Sequence, residues 1–353
     1  MSENGKKFSI KAVIDRIGMP TLIISAFWVF CLILGPMYNI PTAVSISDTL
    51  RRFGMNGLLV LAMVPSIQSG TGPNFALPVG VSCGLLGVVC SISLGFEGIA
   101  WILMAMLLGI VFAVILGYGY GRMMNAVKGS EMTIATYTGF SITAFMSLIW
   151  LMVPFGSSKM QWFLGEGLRE TIQLDAVGGA QILNNFLSFR IAGVFIPTGL
   201  LLFFALFCIL LWLFFKTKTG SAISAGGLNP KFAQASGLNI NKTRVIANVI
   251  STVLGAIGIV VYAQSYGFAQ LYLAPLYMGF IAVASVLIGG ATASRAKVSH
   301  VILGTLVYQG IMTTALPLAN NIFVGTDLSV MIQMMLQNGI ILYALTQVKG
   351  GNR

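Results

Sequence analysis

Charge is scarce in this chain. Asp, Glu, Lys and Arg make up 8% of its 353 residues, against about 25% in an ordinary soluble domain. Histidine is scarcer: His300 is alone, beside Arg295 and Lys297 at the expected start of a helix, a solvated position. The nine acids fall at helix ends or in loops. A membrane enzyme needs a cluster of nucleophile, base or metal ligands, and no such cluster exists in the sequence. A proton-coupled carrier typically uses a carboxylate or histidine inside the membrane, and none is placed there. Sodium coupling through backbone carbonyls stays open. No Gly-x-x-x-x-Gly-Lys-Ser/Thr loop occurs, so any ATP that drives this chain is hydrolysed on another polypeptide. The four cysteines, Cys31, Cys83, Cys90 and Cys208, sit in apolar runs without metal-ligand spacing and read as packing residues.

What the sequence has in abundance is apolar length. It is 57% hydrophobic, with runs such as Gly98–Gly121 and Ile191–Phe215 near the roughly 20 residues needed to cross a bilayer. The pattern predicts an all-α, polytopic membrane protein of about ten transmembrane helices, near 19–38, 54–70, 74–94, 98–119, 131–154, 191–215, 245–266, 270–292, 298–316 and 328–347. The polar stretch 1–18, with Lys6, Lys7, Lys11 and Arg16, reads as a retained cytoplasmic tail. Residues 19–348 then form one membrane domain, and 349–353 a second short tail.

The net charge of +11 does not point to nucleic acid, because no folded soluble region or aromatic-interleaved basic stretch exists to bind one. Basic residues mark cytoplasmic loops. With the N-terminus inside, 15 of the 20 Lys and Arg residues fall on the cytoplasmic side. Arg51, Arg52, Lys159, Arg169 and Arg190 fall outside, and both termini are cytoplasmic. The external segment 155–190 is expected to form short interfacial helices that cap the bundle. Val44–Phe53 is expected to lie in the outer interface as an amphipathic helix.

Two polar interruptions stand out. One runs from Met63 to Asn74 (MVPSIQSGTGPN), the other from Tyr262 to Gln270 (YAQSYGFAQ). Each is followed by a proline and a glycine, at Pro78 and Gly80 and at Pro275 and Gly279. On the expected topology the two helices run in opposite directions, so the interruptions predict an inverted repeat with a pathway at its interface. Irregular backbone at that depth has to be buried in protein or face a watery cavity. The 41 glycines fit close helix packing, with Gly80/Gly84 and Gly117/Gly121 at small-xxx-small spacing.

Between two long spans lies the loop 216–244. Asn229-Pro230 is a helix start signal, Lys231–Ser236 offers about one and a half turns, and Gly237 ends them. A short stiff helix projecting there suits docking onto a partner. The stretch containing Gly220, Ala222, Ile223, Ala225, Gly227, Asn229, Ala233, Ser236, Gly237 and Asn239 resembles the signature loop of permease subunits of bacterial ABC importers for ribose-type sugars, nucleosides and branched-chain amino acids. The likeness extends through Ala247–Ile259 and the ten-helix layout. It implies that Gly227, Asn229, Ala233, Ser236, Gly237 and Asn239 form a coupling helix inserted into a separate ATPase subunit, which carries the ATP and Mg²⁺. It also implies a second permease subunit, identical or related, an extracytoplasmic substrate-binding protein, and a multi-pass position in the inner membrane. Sugar-type members carry a Gly-Ile-Asp-Leu-Ser-Val-Gly-like motif after the second helix. Here Asn74 replaces the acid, Pro78 stands at the Ser-Val pair, and Leu228 precedes the loop asparagine.

For the translocation pathway the candidates are Gln68, Asn74, Phe75, Gln264, Tyr266 and Gln309, whose amides and rings suit a small polar, uncharged solute such as a simple sugar or nucleoside. The chain itself is expected to bind no cofactor or metal and to catalyse no reaction. A stand-alone secondary carrier or facilitator is the alternative, and an embedded enzyme or scaffold is a third reading.

Overall fold

The computed structural model describes residues 19–153, 157, 159–161, 168–322, 331, 335 and 339. The expected tails, most of the span 328–347 and part of 155–190 lie outside these. The long helices are α1 (Met19–Leu34), α2 (Thr42–Leu61), α4 (Leu77–Ser93), α5 (Gly98–Ala126), α6 (Glu131–Met152), α8 (Thr198–Lys216), α11 (Ile240–Tyr266), α12 (Ala274–Ile288) and α13 (Val298–Ile322). Shorter ones are α3 (Met63–Gln68), α7 (Ile182–Asn185), α9 (Lys218–Leu228) and α10 (Pro230–Ala235). Four three-residue strands, β1 (Thr171–Gln173), β2 (Phe189–Ile191), β3 (Val194–Ile196) and β4 (Phe268–Gln270), form two antiparallel pairs, β1–β4 and β2–β3.

Among the described residues six segments are long and apolar enough to span a membrane: Thr21–Tyr38, Gly98–Ala126, Glu131–Met152, Thr198–Lys216, Ile240–Tyr266 and Val298–Asn321. In the windows on α11 and α13, 67% of residues are buried, against 17–28% in the other four. α11 and α13 are therefore interior, whereas α1, α5, α6 and α8 turn apolar faces outward, as lipid contact requires. Helices α4, α5 and α11 pack backbone to backbone through small residues. A Cβ on Gly80 would lie 2.4 Å from the Thr252 carbonyl oxygen, and one on Gly84 2.3 Å from that of Ala256.

The connections gather at two ends. One holds the turns around 127–130, 217–239 and 289–297, joined by contacts such as Gln68–Ala296 and Lys128–Asn241. It carries Arg122, Lys128, Lys216, Lys218, Lys231, Lys242, Arg244, Arg295 and Lys297, and among the described residues its only acid is Glu131. The opposite end holds β1–β4 and the Lys159–Glu97 pair at 3.0 Å. At the basic end Arg244 and Glu131 form an ion pair at 2.5 Å, both largely buried, which ties the second turn of α11 to the first turn of α6.

Three expectations are corrected. Val44–Phe53 is helical but not a helix of its own: it is the first half of α2, which begins at Thr42. Its polar face is turned inward: Thr49 Oγ1 meets Thr313 Oγ1 on α13 at 2.7 Å, and Ser47 Oγ accepts from Phe195 N at 2.8 Å. The described part of 155–190 holds two short helical pieces, α7 and a 3₁₀ turn at Asp175–Val177, and is otherwise strand β1, the start of β2, turns and irregular backbone. Strand β1 finds its partner in β4, just beyond α11. The loop 216–244 holds two helices rather than one, because α9 continues the chain at the end of α8 under the cap of Thr217 Oγ1 on Gly220 N.

Replacing Arg244 with Ala strands a buried carboxylate and is expected to cost about 3 kcal/mol. Chemical unfolding in detergent micelles should show that loss, and the paired change of Arg244→Met with Glu131→Leu should recover most of it. An unaltered midpoint for Arg244→Ala would show that the pair contributes nothing.

Candidate functional site

At the basic end, chain segments distant in sequence meet at a joint of bare backbone. Helix α2 gives way to α3 at Ala62, where Pro65 withholds one helical donor, and the chain then turns through 69–76 before α4 begins. Gly70 has φ +79, and its backbone rests on Gly227 near the end of α9. A Cβ on Gly227 would lie 2.1 Å from the Gln68 carbonyl oxygen and 2.8 Å from Gly70 N. No side chain fits there. Gln68 fastens the same joint: its Nε2 donates to the Ala296 carbonyl at 2.6 Å, and its Oε1 accepts from Ser224 Oγ at 2.6 Å. Two clefts of about 270 and 340 Å³ flank the joint, lined by residues of the interruption, α9, the 129–133 turn and the 293–297 turn.

Beyond the joint the chain projects. Asn229 Oδ1 accepts from Phe232 N at 3.1 Å and caps α10, and Asn239 Oδ1 accepts from Lys242 N at 3.0 Å and caps α11. Ala233 is buried beneath α10, its carbonyl accepting from Leu238 N, and Ser236 Oγ returns to the Phe232 carbonyl. Gly237 turns the chain at φ +81 with open space around it. These residues shape the projection, while the apolar surface it offers belongs to Leu228 and Phe232, 57% and 69% exposed. Sequence reasoning noted Leu228 only as the residue before the loop asparagine and passed over Phe232. The available signal was a large apolar residue three places after the Asn cap, on a helix too short to bury it.

The interruption is held together from inside. Ser66 Oγ donates to the Gly72 carbonyl at 2.8 Å and meets Thr71 Oγ1 at 2.9 Å, while Ser69 Oγ donates back to the Ser66 carbonyl. Asn74 is 1% exposed. Its Oδ1 accepts from Ala76 N and Tyr120 OH, both at 3.0 Å, and its Nδ2 donates to Ser251 Oγ at 2.9 Å. Ser251 in turn donates to the Ala62 carbonyl at 2.6 Å. The uncharged amide thus supplies acceptor and donor together, which an ionised acid does not. Pro78 falls in the first turn of α4, where proline costs no helical hydrogen bond.

At the opposite end Gln264 plays the part Gln68 plays here. It is fully buried, accepts from Leu183 N at 3.2 Å and donates to the Val261 carbonyl, while its own carbonyl accepts from Gln181 N at 2.6 Å. Helix α11 runs past it to Tyr266 and ends at Gly267, φ +89. Next to it opens a vestibule of about 260 Å³ lined by Asp48, Arg51, Arg52, Met55, Gln181, Ser265 and Tyr266. Arg51 pairs with Asp48 at 3.8 Å and lies over Phe195. Its Nε and the Ser265 hydroxyl are buried with no hydrogen-bond partner among the described residues. Tyr266 stacks with Tyr262 at 5.2 Å and meets Phe268 edge-on at 4.9 Å.

The six pathway candidates are therefore not gathered in one site. Gln68 lies at the basic joint, Asn74 in the interior, and Gln264 and Tyr266 at the far end. Phe75 packs against Phe280 at 6.1 Å, and Gln309 is buried on α13. Of the six coupling candidates, Gly227 forms the joint and the other five shape the projection.

Residues 45–345 match the family described as branched-chain amino acid transport system / permease component. The nucleoside ABC transporter permease protein NupB of Lactococcus lactis subsp. cremoris (strain MG1363) is 26% identical, over 70% of this chain and 67% of its own. The galactofuranose transporter permease protein YtfT of Escherichia coli (strain K12) is 28% identical, over 74% and 83%.

Asn74→Ala removes the partner of Tyr120 and Ser251 and is expected to lower stability by about 1–2 kcal/mol. Thermal unfolding followed by tryptophan fluorescence reads this directly. An unchanged midpoint would show that the interruption holds without the amide.

Proposed function

The chain belongs to the family of branched-chain amino acid transport system permease components, and from that premise we propose that it is the membrane half of an ATP-driven importer of a small polar solute, a simple sugar or nucleoside. The observation that carries this is the joint at Gly70 and Gly227. A projecting two-helix loop, apolar at its tip, rests directly on the interrupted membrane segment, so movement imposed on the loop is passed to that segment without a flexible intermediary.

In this reading the basic end is cytoplasmic, in keeping with the excess of Lys and Arg there. The tenth helix lies at 328–347, both termini are inside, and the chain sits in a bacterial inner membrane. ATP and Mg²⁺ are held by a separate ATP-binding cassette subunit that receives Leu228 and Phe232. A second permease subunit and an external substrate-binding protein complete the machine. The vestibule beside Tyr266, with Arg51, Arg52 and Gln181 on its walls, receives the solute. The two interruptions face opposite ends, the arrangement an inverted repeat requires. Gln68, Asn74 and Gln264 act as ties that hold the path's walls, and Tyr266 touches the solute.

Uptake by proteoliposomes is expected to need both the ATPase partner and nucleotide. Solute flux through the purified chain alone, without nucleotide, would overturn the reading. Phe232→Ala is expected to weaken ATPase binding by about 2 kcal/mol, roughly thirtyfold, measured by titrating the ATPase onto the chain in nanodiscs. Undiminished affinity would remove Phe232 from the interface.

A further inference from the structure

Along the packed seam of α5 and α11, toward the basic end, runs a groove of about 1000 Å³, at the upper limit of pockets that hold drug-sized molecules. Its floor is aliphatic, formed by Val114 and Ile115 on α5 and by Ile246 and Val249 on α11. Its rim at the basic end is cationic and amide-rich, with Arg122, Lys242, Asn125 and Asn241, and no acid lines it. The nearby carboxylate, Glu131, is already engaged by Arg244.

We propose that this groove binds an anionic phospholipid, its phosphate on Arg122 and Lys242 and one acyl chain along the aliphatic floor.

Three observations support it. The charges at the rim lack counter-charges: the described contacts of Arg122 are with the hydroxyl (3.2 Å) and ring of Tyr118, and Lys242 has no ion pair among the described residues. The rim is also held in shape, because Asn125 Nδ2 donates to the Asn241 carbonyl at 2.8 Å and Lys128 Nζ to Asn241 Oδ1 at 2.9 Å. That leaves Asn125 Oδ1 buried without a donor, an acceptor that suits the headgroup hydroxyls of phosphatidylglycerol. The third is location. The outward face of α5 exposes Leu107, Val111 and Ile115, so in a membrane-spanning chain this side meets lipid, and basic pockets between membrane helices on the cytoplasmic side attract anionic headgroups. A polar solute has no use for an aliphatic floor.

Asn239, which caps α11 and closes the return from the projecting loop, lines the same groove. A bound headgroup therefore touches the second anchor of that loop, and the lipid stiffens the connection between projection and membrane. Only this consequence rests on the importer reading. Lipid binding is measured on the chain alone, so the two fail separately.

The test is native mass spectrometry of the full chain in detergent, titrated with phosphatidylglycerol or with phosphatidylcholine of the same acyl length. Phosphatidylglycerol is expected to bind at least tenfold more tightly. The double change Arg122→Gln with Lys242→Gln should remove that preference, a loss of roughly thirtyfold for two basic residues at the surface. Lys242→Arg should retain it. Val249→Trp, which fills the floor and leaves both charges, should weaken both lipids. Equal binding of the two lipids by the native chain, or an undiminished preference in the double variant, would overturn the proposal. So would chain-to-chain cross-linking through Ile246→Cys in native membranes, which would make the groove a protein interface. Each variant's elution profile and unfolding midpoint, matched to the native chain, separate lost binding from lost folding.

Discussion

The rest of the structure depends on one constraint: irregular backbone shut away from water has to find its hydrogen-bond partners within the protein. The stretch from Ser69 to Ala76 is such backbone, almost entirely buried. Its peptide groups and polar side chains are satisfied locally by Ser66, Ser69 and Thr71 and from neighbouring helices by Ser251 and Tyr120. Those partners reach it only because α4, α5 and α11 approach through glycines at backbone distance. The small residues of these helices are thus a condition for the interruption, and the interruption is the surface on which the projecting loop rests.

The two Gln-Ser pairs show how the ends are organised. Gln68 ties the interruption to α9 and to the 289–297 turn, while Gln264 ties the end of α11 to the segment that carries α7. Each amide lies where a membrane helix meets an extramembrane segment, and each binds that segment by donor and acceptor together.

Apolar length made the membrane helices legible, since segments such as Gly98–Ala126 and Thr198–Lys216 carry the signal in every turn. The start of α2 was hidden because Ser45, Ser47, Thr49 and Arg52 read as a water-facing stripe, whereas the hydroxyls face α13 and the β2–β3 hairpin. Strand β1 was equally hidden: its partner β4 lies nearly a hundred residues away, and no local pattern announces that pairing. Within the candidate site, Asn229-Pro230 and Gly237 disclosed the projection through ordinary capping chemistry. The role of Gly227 was legible only as a family resemblance, because its reason is the closeness of Gln68 and Gly70, a tertiary fact. For the same reason the hydrogen bonds of Gln68 to Ser224 and Ala296, and of Asn74 to Tyr120 and Ser251, were not legible in the sequence.

The central claim is that the loop drives the membrane helices through the contact of Gly227 with Gln68 and Gly70. The most direct measurement is ATP hydrolysis and solute uptake, side by side, in proteoliposomes holding the complete importer with Gly227→Ala. The added Cβ has to displace the interruption, and the account predicts that hydrolysis persists while uptake falls at least tenfold. Uptake per ATP equal to that of the native protein, in a variant that assembles normally, would contradict it.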